Sequence, residues 1–120
     1  MPSPCLPKDI VITPHEGRVT VSFAGRIVAD TTRALDLDEP GAPLRIYVPQ
    51  ADVDAAVLEQ SATHTTCPYK GEASYFSLNA GGEAARDAVW YYPDPCELVA
   101  PIRDHVAFWG DAIRYDTQAQ

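Results

Sequence analysis

The chain has 120 residues, the length of one domain, and its 46% hydrophobic and 22% charged content is that of an ordinary globular protein, not a disordered one. Seventeen Asp and Glu against nine Lys and Arg give a formal charge of −8, which argues against capture of nucleic acid or anionic membrane. No apolar run approaches the roughly 18–20 residues of a membrane helix, and the prolines at 2, 4 and 7 interrupt any signal-peptide core, so a cytoplasmic protein is expected.

Residues 1–7 are expected to be a flexible arm, followed by one domain over residues 8–116 and a frayed tail at 117–120. From Arg18 to Phe23, Val19, Val21 and Phe23 alternate with polar residues, which is the period of a half-buried strand. Ala24-Gly25 then makes a two-residue turn, and Arg26 to Asp30 returns as the second arm of a hairpin. Arg33 to Leu37 reads as a third strand, ended by the turn-rich residues 38–43. In a fourth, Leu44, Ile46 and Val48 alternate with Arg45 and Tyr47, up to Pro49. Gln50 to Glu59 carries the one helix signal, with Val53, Ala56 and Val57 at i, i+3 and i+4 and Asp52 in the first turn.

The second half is again strand-like: Ser61 to Thr66, Glu72 to Leu78, and Asp87 to Tyr92, with a turn at residues 79–82. A short helical turn interrupted by Pro101 follows Leu98. Val106 to Trp109 and Ile113 to Tyr115 read as a closing hairpin around Gly110-Asp111. The frequent Pro and Gly exclude long helices, leaving one mainly β domain of about nine or ten short strands and one helix.

Cys5, Cys67 and Cys96 form no C-x-x-C pair, and their odd number leaves at least one outside any disulfide. Without a secretion signal, reduced thiols are the expectation. A zinc site drawing on His64, Cys67 and Cys96 would have one close-spaced ligand pair where structural zinc uses two, so no metal is assigned. His15, His64 and His105 share no metal spacing. No phosphate-cradling glycine loop is present, and no cofactor is called for.

The densest chemistry lies in Thr65-Thr66-Cys67-Pro68-Tyr69-Lys70-Gly71, where a thiol, a phenol and an ammonium share one turn between strands. Asp30-Thr31-Thr32-Arg33 is a second polar cluster. Its arginine fits a carboxylate or phosphate fork, or an internal pair with Asp30 or Glu39. Tyr47, Tyr75, Trp90 and Tyr92 stand on separate strands and suit either a ligand slot or a core.

Several of these stretches resemble one family. Arg18-Val19, Phe23-Ala24-Gly25, Ala29-Asp30-Thr31, Arg33-Ala34-Leu35, Tyr47-Val48-Pro49, Thr65 to Tyr75, Trp90-Tyr91-Tyr92-Pro93 and Val106-Ala107-Phe108 are similar to domain of unknown function 427. That family is also labelled nucleotidyltransferase 9, although this chain lacks the strand-borne acidic pair that binds metal in such transferases. The resemblance implies a β-tent (Mss4-like) architecture of antiparallel sheets. It implies a zinc-free version of it, since the paired C-x-x-C knuckles of zinc-binding relatives are missing. It also implies recurring polar residues at Asp30, Arg33, Tyr47, Tyr69, Lys70 and Trp90.

The leading functional expectation is a small-molecule binding domain. Arg33, oriented by Asp30, and Lys70 would engage an anionic or carbonyl group, between walls supplied by Tyr47, Tyr69 and Trp90. An enzyme at the same site would use Lys70 or Cys67 as its reactive group; without a Cys67 nucleophile, Lys70 and Tyr69 are the acid/base candidates. A homodimeric module built through strand edges is the third reading; the first is compatible with a monomer or a homodimer.

Overall fold

The computed structural model describes residues 5–118, which form ten strands in two antiparallel sheets. The hairpin of β2 (Arg18–Phe23) and β3 (Arg26–Thr31) follows the expected alternation, with Val19, Val21 and Phe23 buried. Its two turn residues both have positive φ, +52° at Ala24 and +82° at Gly25, as a tight turn matched to strand twist requires. A register shift opposite Val21 and Ser22 brings Val28 and Ala29 both inward and leaves Ile27 exposed.

In the larger sheet the strand order is β1 (Val11–Pro14), β4 (Leu35–Asp38), β5 (Arg45–Pro49), β9 (His105–Phe108), β8 (Glu83–Tyr91), β7 (Gly71–Ala80) and β6 (Leu58–Cys67). The smaller sheet adds β10 (Ile113–Gln118) to the β2–β3 hairpin, on the β2 side. The two halves of the larger sheet meet at β9, which pairs through Val48↔Val106 and Pro49↔His105 on one side and Val89↔Phe108 and Trp90↔Ala107 on the other.

Alternation along the central strands sends residues to two different apolar clusters. Val48, Val89, Val106 and Phe108 face the smaller sheet and join Val19, Val21, Phe23 and Val28 in the main core. Their neighbours Tyr47, Trp90 and Ala107 face the other way, toward Leu37, Tyr92, Val99 and Ile102. That opposite face is covered in part by a 3-10 segment, Glu97–Ile102, which buries Val99 and Ile102.

Four expectations are corrected. Gln50 to Glu59 is not a helix but two single 3-10 turns, Gln50–Asp52 and Ala55–Val57, running into β6. Between them Val53 is extended and bridges Ala29, and the Asp54 N–H donates to the Val28 carbonyl at 2.8 Å, so pairing with the bulged β3 overrides the helical period. Val53 and Val57 are nevertheless buried. The closing hairpin is also absent: β9 and β10 are consecutive in the chain but belong to different sheets. The Tyr115 hydroxyl spans them, accepting from the Phe108 N–H at 2.9 Å and donating to the Ile46 carbonyl at 3.3 Å.

The termini are tied down where they are described. Thr117 and Gln118 pair with Val19 and Arg18, and Cys5 is disulfide-bonded to Cys96. Residues 1–4 and 119–120 of the expected flexible ends lie outside the described residues. The disulfide overturns the expectation of three reduced thiols and leaves Cys67 as the free one. No described helix is long and apolar enough to cross a membrane.

Candidate functional site

The outer face of the larger sheet carries an unusual row of side chains where its two halves join. Tyr75 on β7 is paired with Trp90 on β8, Trp90 with Ala107 on β9, and the β9–β5 register continues the row to Tyr47. Because Ala107 is a single methyl, the two large rings meet above it. The Trp90 indole N–H donates to the Tyr47 hydroxyl at 3.1 Å, with the rings edge to face at 88° and 6.5 Å between centroids.

Beside this row opens a hollow of about 470 Å³, within the usual range for small-molecule sites. Tyr47, Trp90, Tyr75 and Tyr92 supply aromatic walls, Arg45 and Lys70 supply positive charge, and Glu39 and Asp87 supply carboxylates. Trp109, two-thirds exposed, stands at the rim.

Arg45 lies two residues before Tyr47 on β5 and therefore on the same face. Its guanidinium sits 5.6 Å from the Trp90 ring centroid, a cation–π contact, and no described carboxylate pairs with it. Lys70, at the turn before β7, is 12% exposed and bonds the Glu39 Oε1 at 2.5 Å. The other oxygen of Glu39 accepts from Lys8 Nζ at 2.8 Å. Burial by itself would push the Glu39 carboxyl up, but the hydrogen bonds from Lys70 and Lys8 outweigh it and hold the group below its ordinary range.

Tyr47 is 1% exposed, and burial pushes its phenol up to about 12 against the opposing hydrogen bond from Trp90, so it stays protonated at neutral pH. Its oxygen accepts from Trp90 and its own O–H remains to donate. Burial likewise raises the Tyr92 phenol. Asp87 owes its place to two facing irregularities. The β6–β7 register shifts between Gln60 and His64, and the β7–β8 register shifts between Phe76 and Leu78. Asp87, at φ +53°, accepts there from Ser61 and from Thr63 at 2.8 Å, which hold its carboxyl below the ordinary range.

Of the seven residues singled out in the sequence, Tyr47, Lys70 and Trp90 line this hollow together. Cys67 stands one step behind, its sulfur 3.8 Å from Lys70 Nζ. Tyr69 turns its ring to Lys8, whose Nζ is 4.6 Å from the centroid, and does not line the hollow. Asp30 and Arg33 are elsewhere and do not pair. Asp30 takes a two-pronged bond from Arg18 across the hairpin. Arg33, 66% exposed in its side chain, contacts both oxygens of Asp52 at 3.2 Å. It borders a separate open groove with Pro49, Gln50 and His105.

The expected convergence of Arg33 with Lys70 is therefore corrected: the second cation at the hollow is Arg45. The signal for it was present in the alternation that puts Arg45 and Tyr47 on one face of β5. Glu39, expected in the turn at residues 38–43 or as a partner of Arg33, is 13% exposed and shared by two lysines. The His64–Cys67–Cys96 combination loses its third ligand because the Cys96 sulfur is bonded to Cys5. No cluster of three or more potential metal ligands occurs among the described residues.

Residues 11–119 match the NTP_transf_9 family model, a domain of unknown function (DUF427). The chain belongs to the DUF427 family. No curated protein matches it. The DUF427 match spans every strand described above, so the hollow on the outer face lies wholly within the family's domain.

Proposed function

We propose that this DUF427 chain binds a small anionic or carbonyl-bearing molecule in the hollow between Tyr47, Trp90, Arg45 and Lys70. One observation carries the reading: three residues with donor groups, Tyr47, Arg45 and Lys70, line one aromatic-walled space in a strongly acidic chain, and the carboxylates there, Glu39 and Asp87, are already hydrogen-bonded. Such a space favours a ligand rich in acceptors, and the flat Trp90 and Tyr75 rings favour a planar or apolar body beside them. The reading is made for a monomer or a homodimer. A cytoplasmic setting, where small organic anions abound, suits it.

A thermal-shift screen with nucleotides, sugars and organic acids tests it. A ligand held only by the folded state at 100 times its Kd adds about 2.7 kcal/mol, a shift of several degrees for a domain of this size. Arg45→Gln and Lys70→Ala should abolish the shift, while Arg33→Ala should leave it unchanged. Hits that persist undiminished in both hollow variants would place the ligand elsewhere.

A further inference from the structure

The segment ahead of β1 is bound to the candidate site by a chain of contacts that begins at the disulfide. Cys5 is bonded to Cys96, and the Cys96 N–H donates to the Lys70 carbonyl at 2.8 Å. One residue on, the Leu6 N–H donates to the Pro68 carbonyl at 2.7 Å, in the turn that presents Lys70. Lys8 then reaches over the Tyr69 ring to Glu39, and Ile10 packs into the cluster beneath the site. Residues 5–10 thus form a strap along the 67–71 turn. Glu39, which lines the hollow, divides its two oxygens between a lysine of the strap and a lysine of the site.

We infer that the Cys5–Cys96 disulfide is a redox latch on this strap, and that its state sets the positive charge the hollow offers to a ligand. The inference rests on the binding reading above and adds its regulation. With the latch closed, one carboxylate is shared by two ammonium groups, so Lys70 keeps positive charge in excess of its partner. With the latch open, the strap is held covalently, among the described residues, only through the main chain at Ile10–Val11, and its Cys5 end is released. Lys8 leaves, and Glu39 neutralises Lys70 alone, weakening the hollow for anions. The bond is placed for this role: Cys5 is exposed, whereas Cys96 is buried. Disulfides that occur in reducing compartments are mostly redox-sensing or catalytic ones.

The opening step uses a dithiol reductant. Its thiolate attacks the exposed Cys5 sulfur, breaking the S–S bond, forming a mixed disulfide and releasing Cys96, which takes a proton. The second donor thiol then closes the donor's own disulfide and releases Cys5 as a thiol. Two electrons and two protons pass from the donor to the pair.

Two readouts on the full chain, with dithiothreitol as reductant, test the latch without any ligand. The first is amide hydrogen exchange. Reduction should speed exchange at Leu6 at least tenfold while leaving Val19 and Val48 protected. Retained protection at Leu6 would show that the strap holds without the bond. Loss at Val19 and Val48 as well would show a general staple, not a latch. The second is quenching of Trp90 fluorescence in Trp109→Phe, by iodide relative to neutral acrylamide at constant ionic strength. Reduction should lower the iodide-to-acrylamide ratio by about 1.5-fold or more, since the anionic quencher senses local positive charge. A released strap with an unchanged ratio overturns the regulation. Cys5→Ser should reproduce the reduced state with no reductant, and a variant that stays latched by both readouts counts against the inference. If both readouts move but the thermal screen finds no ligand dependent on Arg45 and Lys70, the binding reading fails and the latch survives.

Discussion

The two faces of the larger sheet are built from the same strands yet differ in kind. Toward the smaller sheet, Val48, Val89 and Val106 meet Val19, Val21 and Leu78, all completely or almost completely sealed from solvent. One residue away along each strand, Tyr47, Trp90 and Ala107 meet aromatic, sulfur-bearing and charged groups, and part of that surface remains open. A single step in a β strand thus separates a position that holds the fold together from one that can do chemistry. The inner face is closed by a second sheet, whereas among the described residues the outer face is covered in part by a short 3-10 segment and the strap, and a hollow is left.

Substitutions on the two faces should therefore separate stability from binding. The largest effect is expected from Leu78→Ala in the sealed core. It should cost about 3–5 kcal/mol in urea unfolding, with the molecules that remain folded keeping their ligand response. On the outer face, Tyr47→Phe removes the acceptor for the Trp90 N–H and one donor to the hollow. Its stability loss should be only about 1 kcal/mol, while affinity for any ligand from the screen falls tenfold or more. Equal losses of stability from the two substitutions would break the comparison.

Acid sharpens it further. The Glu39 carboxyl is held below its ordinary range in the folded chain, so its contribution is fully present above the unfolded-state value near 4.5. That contribution is lost as pH falls through the lower folded value. Asp30 and Asp87 are shifted in the same direction and add to the loss. The urea midpoint should fall below about pH 4.5, and Glu39→Gln should flatten part of that fall. A fall unaltered in Glu39→Gln would remove the shared carboxylate from the account. The smallest effect belongs to the hairpin tip, far from the site. Ala24 holds φ +52°, so Ala24→Gly should raise stability by about 0.5–1 kcal/mol without touching ligand response.

How much of this was legible in the sequence depended on the range of the forces involved. The β2–β3 hairpin was readable because its alternation and turn are local, and Tyr47 and Trp90 announced themselves as large aromatics on strands. β1 was missed because Pro14 and the short polar run after it hide a four-residue edge strand, where proline is tolerated. The misread helix at residues 50–59 failed for a non-local reason: the apolar spacing was real, but Val53 found a backbone partner in Ala29. The assignment of β10 to the smaller sheet depends on contacts with β2, nearly a hundred residues earlier, which no local pattern encodes. At the site, Lys70 was found from its turn, but its companion was not. Arg33 stands out in its polar cluster and Arg45 only as an alternating position of a strand; topology gives Arg33 to Asp52 and sets Arg45 against Trp90.

Ala107 has a consequence that reaches beyond its own small volume. It occupies the middle of the four-residue strand on which the halves of the large sheet are hung, directly under the bridge between the phenol and the indole. Any bulkier group at that point would lift the two rings apart and pry at the seam at once. The gauge of the aperture and the angle at which its two sides stand are therefore set by one and the same methyl.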